Sequence, residues 1–184
     1  GNQTYSGAVI LSTNVSLSGG NQLLFGGTVN SSDTDSTSDA RTLTTTFTET
    51  ELDGIIGGTY ALGAMDINGA LDLDAAISGA ASMDVSGTAN LGADVTTSGN
   101  QTYSGAVILS TNVSLSGGNQ LLFGGTVNSS DTDSTSDART LTTTFTETEL
   151  DGIVGGTYAL GAMDINGNLD LDANIVGAAS LAVS

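Results

Sequence analysis

The sequence predicts an all-β protein, a parallel β-helix (β-solenoid) whose coils each contain about 18 to 20 residues. The first 55 residues, Gly1 to Ile55, recur without change as Gly99 to Ile153, so the 184-residue chain is part of a tandem array. A shorter period of 18 residues lies inside this long repeat. Within it, apolar residues alternate with polar ones, as in GALDLDAAI, which is the pattern of a half-buried strand.

The long repeat divides the chain into residues 1–98 and a truncated second copy, residues 99–184, which we expect to continue the same solenoid. The copies differ at six positions, namely Ile56/Val154, Ala70/Asn168, Ala76/Asn174, Ser78/Val176, Met83/Leu181 and Asp84/Ala182. Each 98-residue repeat then contains about five coils, and every coil adds a rise of about 4.8 Å.

The 18-residue period aligns apolar residues into four interior columns, and it aligns three glycines where the chain must turn tightly or adopt a positive φ. The next step is 19 residues and places Tyr103 beside Leu122. A unit this short cannot bury its own apolar face, so it must stack on its neighbours. The columns are Ile67/Val85/Tyr103, Leu71/Ala89/Val107, Leu73/Leu91/Leu109 and Ile77/Val95/Val113, and the glycines are Gly69, Gly87 and Gly105.

The composition argues against most enzyme and nucleic-acid functions. The chain has no Lys, His, Cys, Trp or Pro, and its net charge is −18 with Arg41 and Arg139 as the only basic residues. A Ser or Thr nucleophile therefore lacks a His or Lys base, zinc lacks its usual ligands, and a phosphate backbone would be repelled. No apolar run approaches the roughly 18 residues of a membrane span. We therefore predict a non-enzymatic protein, and we expect any export signal to lie outside these residues.

The run LGADVTTSGNQTYSGAVILSTNVSLSGGNQLLFGGTVN, residues 91–128, resembles the repeats of giant bacterial surface and secreted adhesins of the filamentous-haemagglutinin type. The resemblance implies a right-handed parallel β-helix rod that is exported and displayed at the cell surface or released. It is weak over SSDTDSTSDARTLTTTFTETELDG, which departs from the pattern in both copies.

This departing segment contains the predicted metal site. Oxygen-bearing residues occupy alternate positions, as ligands of a hard cation such as Ca²⁺ would. The segment is not an EF-hand, because Ser38 and Thr44 stand where the loop needs Gly and Glu. The alternative is a solvated acidic loop. The predicted ligands are Asp33, Asp35, Thr37 and Asp39 in the first copy and Asp131, Asp133, Thr135 and Asp137 in the second.

Three other oxygen-rich groups have simpler interpretations. Asp66, Asn68, Asp72 and Asp74 are predicted to be the outward residues of strands whose inward residues are Ile67, Leu71 and Leu73. A Thr face, formed by Thr42, Thr44, Thr46, Thr48 and Thr50 opposite Leu43 and Phe47, is that of an exposed strand or an ice-binding surface. The glutamates Glu49/Glu51 and Glu147/Glu149 offer the carboxylate pair of a glycosidase without an aromatic sugar platform.

These observations favour a structural rod or stalk segment of an extracellular bacterial adhesin or surface fibre, with no cofactor unless Ca²⁺ binds. The alternatives are a self-assembling extracellular filament subunit, Ca²⁺-stabilised or not, and an ice-binding solenoid. The expected partners are neighbouring repeats of the same chain, copies stacked end to end, and a host or surface ligand. We expect neither nucleic-acid binding nor membrane insertion of this segment.

Overall fold

The structure is a computed structural model that describes residues 1–32, 39–130 and 137–184. Every regular element in these ranges is a β-strand, and they contain no helix of the length and hydrophobicity that a membrane crossing requires. The strands are β1 (Gln3–Tyr5), β2 (Val9–Leu11), β3 (Val15–Ser18), β4 (Gln22–Phe25), β5 (Val29–Ser31), β6 (Leu43–Leu52), β7 (Leu62–Leu73), β8 (Ile77–Val85), β9 (Ala89–Leu91), β10 (Val95–Thr97), β11 (Gln101–Tyr103), β12 (Val107–Leu109), β13 (Val113–Ser116), β14 (Gln120–Phe123), β15 (Val127–Ser129), β16 (Leu141–Leu150), β17 (Leu160–Leu171) and β18 (Ala178–Val183).

The strands form a three-sided parallel β-solenoid of about eight turns, as predicted. Each strand pairs in parallel with a segment one coil further along the chain, and the long strands β6, β7, β8, β16 and β17 bend around a corner to serve two sides. Side 1 contains β1, β4 and residues 49–52, 70–73, 89–91, 107–109 and 127–129. Side 2 contains β2, β5, Ile56, Ile77 and residues 95–97, 113–116, 141–144, 163–165 and 181–183. Side 3 contains β3 and residues 43–46, 65–68, 83–85, 101–103, 120–123, 147–150 and 168–171.

The interior is one continuous hydrophobic core, and three of the four predicted columns lie in it as expected. Leu91 pairs with Leu73 on one side and Leu109 on the other, and all three side chains are buried. The column of Ile67 and the column of Leu71 are confirmed in the same way.

The predicted register is wrong where the coil lengthens from 18 to 20 residues. Val95 pairs with Leu115 and not with Val113. Tyr103 pairs with Phe123 and not with Leu122. A shift of one residue exchanges the two faces of a strand. Phe123 is therefore the buried residue, and its ring stacks on that of Tyr103 with the centroids 5.5 Å apart.

The 98-residue repeat is not a whole number of coils. Gln3–Tyr5 lie on side 1, yet the identical residues Gln101–Tyr103 lie on side 3. Between Tyr5 and Tyr103 the chain passes through fourteen sides, or four and two-thirds turns, which refines the predicted five coils. Identical residues of the two copies are therefore displaced by one-third of a turn about the rod axis.

The aligned glycines form one corner of the rod, but close approach, more than a positive φ, explains them. Among the described residues Gly69 has a positive φ, of 146°, whereas Gly87 and Gly105 do not. A Cβ on Gly87 would lie 2.5 Å from the carbonyl group of Gly69, and a Cβ on Gly105 would overlap the carbonyl group of Gly87 in the same way. Successive coils pack backbone against backbone at this corner, and only Gly leaves room for that.

The interior also contains polar side chains that the alternating pattern does not predict. Gln101 is fully buried, and its Nε2 donates to the carbonyl oxygens of Ser116 at 3.0 Å and Val95 at 3.3 Å. Its Oε1 accepts a hydrogen bond from the Tyr103 hydroxyl at 3.2 Å. Burial raises the pKa of that hydroxyl. The motif GNQTY therefore directs Gln and Tyr inward as a bonded pair, which removes the cost of burying the amide.

The predicted Thr face is wrong for one of its members. Strand β6 bends at a corner between Thr46 and Glu49, where its register with β7 shifts. Thr50 therefore points into the core, and its hydroxyl shares a hydrogen bond of 3.0 Å with that of Thr45. The five Thr residues do not form the flat exposed array that ice binding would require.

Candidate cation-binding site

Two of the predicted metal ligands lie in the described part of the chain, and each lies beside an arginine. Asp39 forms an ion pair with Arg41 at 2.9 Å, and Asp137 forms the equivalent pair with Arg139 at 3.0 Å. The other predicted ligands, Asp33, Asp35, Thr37, Asp131, Asp133 and Thr135, lie outside the described residues.

A different acidic group lies at the end of side 1, and the fold assembles it from two coils. Glu51 is an outward residue of β6, and Asp53 follows the last residue of that strand. Asp74 follows the last residue of β7, and its amide donates to the carbonyl oxygen of Leu52 at 3.0 Å. One carboxylate oxygen from each acid lies within 4.8 Å of the other two, which is close enough to share one metal ion.

Two further carboxylates and two amides surround this acidic triad. Gln22 Nε2 donates to Oε2 of Glu51 at 2.6 Å and to Oε2 of Glu49 at 3.4 Å. Asp72 pairs with Glu51 in the sheet, and its Oδ1 accepts a hydrogen bond of 2.9 Å from Asn90 Nδ2. The amides hold the carboxylates in place without neutralising their charge.

The second copy builds the same triad one-third of a turn away. Its members are Glu149, Asp151 and Asp172, and their oxygens again lie within 4.8 Å of one another. Gln120 Nε2 donates to Glu149 at 2.6 Å and to Glu147 at 3.2 Å, as Gln22 does in the first copy. The site is therefore a property of the repeat.

The electrostatics of the triads favour the binding of protons or cations. Desolvation, followed by the repulsion of Asp53, raises the pKa of Glu51. Desolvation and then Asp72 raise the pKa of Asp74, and desolvation and then Asp151 raise that of Glu149. Within the described ranges the ion pairs of both arginines are with Asp39 and Asp137, away from these carboxylates.

The raised pKa values predict that mild acid stabilises the fold. At a pH between the unfolded and the folded pKa values, the folded chain binds more protons than the unfolded chain, so stability falls as the pH rises through that window. We expect the thermal midpoint at low salt to increase between pH 7 and pH 5, measured by circular dichroism. The double variant Glu51→Gln/Glu149→Gln should melt higher at pH 7 and respond less to pH. A midpoint that decreases on this acidification contradicts the electrostatic interpretation.

The predicted outward position of Asp66 is confirmed, and it gives a second like-charge contact. Asp66 pairs with Asp84 one coil later, so the carboxylates lie about one strand spacing apart. Desolvation and then the charge of Asp66 raise the pKa of Asp84. In the second copy the partner of Asp164 is Ala182, so this contact is absent there.

The substitution Asp84→Ala is therefore expected to stabilise the chain. Two charges about 5 Å apart repel by on the order of 1 kcal/mol in water, and added salt screens this repulsion. Denaturant titrations at low and high NaCl should show a gain that shrinks with salt. Asp164→Ala is the matched control, since its neighbour is already uncharged. A destabilised Asp84→Ala variant, or an equal gain in the control, contradicts the proposed repulsion.

Sequence reasoning missed the triad because it applied the 18-residue step to every coil. The coil that joins the triad has 21 residues, since Leu52 pairs with Leu73. The available signal was that Asp53 and Asp74 each follow the Leu that ends an apolar alternation. Comparison of the chain with protein-family models, curated proteins and solved structures gives no match.

Proposed function

We propose that this chain is a rod segment of an extracellular bacterial adhesin or surface fibre, and that it supplies length, stiffness and an acidic coat. The observation that carries the proposal is the unbroken stacking across the repeat boundary. Residues 83–85 at the end of the first copy pair with Gln101–Tyr103 at the start of the second. The amide of Met83 donates to the carbonyl oxygen of Asn100 at 3.0 Å, and that of Ser104 donates to Val85 at 2.9 Å.

The same continuity holds for the core and supports stiffness. Buried residues of both copies form one hydrophobic cluster with no gap at the boundary. Tyr103, which belongs to the second copy, packs in the column that Ile67 and Val85 begin. Bending the rod at this point would separate paired strands and buried side chains together, so further copies extend the length without adding a hinge.

The acidic coat follows from the phase of the repeat. Each copy carries its charged triad one-third of a turn from the previous one, so three copies distribute their charge over all three corners. A net charge of −18 on 184 residues keeps such rods apart in solution. The resemblance to surface adhesin repeats supports an extracellular location.

Electron microscopy of the chain tests this proposal against its alternative. We expect separate straight rods about 40 Å long, from about eight turns at roughly 4.8 Å each. Continuous fibres under the same conditions would favour the self-assembling filament subunit. Compact or flexible particles without a fixed long axis would overturn both.

We further propose that Ca²⁺ binds the two acidic triads and stabilises the rod. Carboxylate oxygens are the preferred ligands of Ca²⁺, and water can complete the 6 to 8 positions it needs. Calorimetry with CaCl₂ should give two sites per chain, and the thermal midpoint should rise with the Ca²⁺ concentration.

Two sets of variants separate the triads from the acidic segment of residues 33–39 and its copy, residues 131–137. We expect Asp53→Asn/Asp74→Asn to remove one of the two sites. Asp33→Asn/Asp35→Asn should leave both sites in place. Loss of binding only in the second variant would assign the metal to the acidic segment, and no binding at millimolar Ca²⁺ would exclude both locations.

A further inference from the structure

A cleft on the outer surface of side 1 belongs to neither the acidic triads nor the core. Its volume is about 570 Å³, within the range of small-molecule binding sites. The floor is an outward ladder in which Ile108 pairs with Asn90 on one side and Asn128 on the other. Ala106, Ser110 and Tyr158 complete the principal lining.

The wall of the cleft is an arch of backbone that Asn128 holds in place. Asn128 Oδ1 accepts hydrogen bonds from the amides of Thr157 at 2.9 Å and Tyr158 at 3.2 Å. The amide of Ser129 donates to the carbonyl oxygen of Tyr158 at 3.3 Å. The backbone that carries the Tyr158 ring is thereby fixed, although the residue is 44% exposed.

The first copy forms the same arch at another position around the rod. Asn30 Oδ1 accepts from the amides of Thr59 at 2.9 Å and Tyr60 at 3.2 Å, and Ile10, Asn30 and Tyr60 line a cleft of about 330 Å³. This cleft is smaller because a counterpart of Asn90 would precede Gly1. The arch is therefore built by the repeat itself and does not depend on one side of the solenoid.

The chemistry of the lining selects a neutral ligand with both apolar and hydroxyl surfaces. None of the described residues that line the larger cleft carries a charge, although the net charge of the chain is −18. Tyr158, Ile108 and Ala106 offer aromatic and aliphatic surface. Among the described residues no acceptor faces the Nδ2 of Asn128 or the hydroxyl of Tyr158, so both remain available for hydrogen bonds.

We propose that this cleft binds a ring of a neutral saccharide. One face of a pyranose ring presents C–H groups that can stack on Tyr158, and its hydroxyl groups can bond to the amide and hydroxyl groups at the rim. Because each copy repeats the cleft one-third of a turn further, an array binds a multivalent glycan surface from every side with an avidity that single sites lack. This activity is independent of the rod function, which requires no ligand.

Saturation-transfer NMR with neutral hexasaccharides of glucose, mannose and galactose tests the proposal, with sialyllactose as the charged comparator. We expect at least one neutral hexasaccharide to bind more tightly than the comparator. The double variant Tyr60→Ala/Tyr158→Ala should weaken that binding by roughly tenfold or more, since a stacked ring and its contacts are removed. Tyr60→Phe/Tyr158→Phe should retain most of the affinity because it keeps the stacking face.

The matched control is Ile55→Ala/Ile153→Ala. These two residues are 45% and 43% exposed, as the two tyrosines are at 45% and 44%, but they do not line the clefts. Their replacement should leave saccharide binding unchanged. The proposal is overturned if none of the hexasaccharides binds, if the Tyr→Ala variant binds as the unmodified chain does, or if the Ile control loses binding equally. Each of these results leaves the rod proposal intact, because electron microscopy tests the rod separately.

Discussion

Replacement of Leu91 by Asp is expected to unfold the middle of the rod. The side chain is fully buried between Leu73 and Leu109, and no described cation lies in the core to pair with a carboxylate. An unpaired charge in such a position costs several kcal/mol, so we expect a loss of more than about 4 kcal/mol in the free energy of unfolding. Urea titration followed by far-ultraviolet circular dichroism measures this loss.

The control for Leu91→Asp is Ile10→Asp. Ile10 also lies in a strand between two alternating residues, but it points outward and is 67% exposed. Its replacement adds the same charge to the surface and should change the free energy of unfolding by less than about 1 kcal/mol. If the two variants unfold alike, the inward and outward assignment of the alternating residues is wrong.

The substitution Gly105→Ala is expected to have the next largest effect, and the repeat provides its control. Gly105 and Gly7 occupy identical sequence positions. A methyl group on Gly105 would overlap the carbonyl group of Gly87 in the preceding coil, whereas a methyl group on Gly7 meets nothing within 4 Å. Overpacking against a fixed backbone costs about 1 to 3 kcal/mol.

Gly7→Ala should therefore be neutral or slightly stabilising, because Ala restricts the unfolded chain more than Gly does. Thermal unfolding of the two variants, measured side by side, separates the effect of stacking from that of local sequence. Equal destabilisation by both would mean that backbone conformation, and not contact between coils, requires glycine at this corner.

The sequence by itself determined the fold class and much of the core. Exact repetition, alternation and the 18-residue period together predict stacked coils, because a unit too small to bury its own apolar face has only its copies to pack on. The predicted contact of Leu91 with Leu73 and Leu109 is confirmed. The predicted contact of Asp66 with Asp84 is confirmed as well, since both lie where the coils have equal length.

Only the tertiary structure decided the register of the coils that differ in length. Extra residues at a corner leave the alternation within each strand intact, so the sequence pattern does not reveal that Tyr103 stacks on Phe123. The acidic triad escaped prediction for the same reason, because Asp53 and Asp74 meet only across a coil of 21 residues.

The third dimension also decided which polar residues point inward and where each repeat faces. Gln101 is polar in the sequence and fully buried in the fold, because hydrogen bonds from a neighbouring coil and from Tyr103 satisfy its amide. A repeat of 98 residues fixes what recurs, but the number of sides those residues occupy fixes the direction in which it recurs. Fourteen sides do not divide into whole coils of three, so identical residues lie on different faces of the rod.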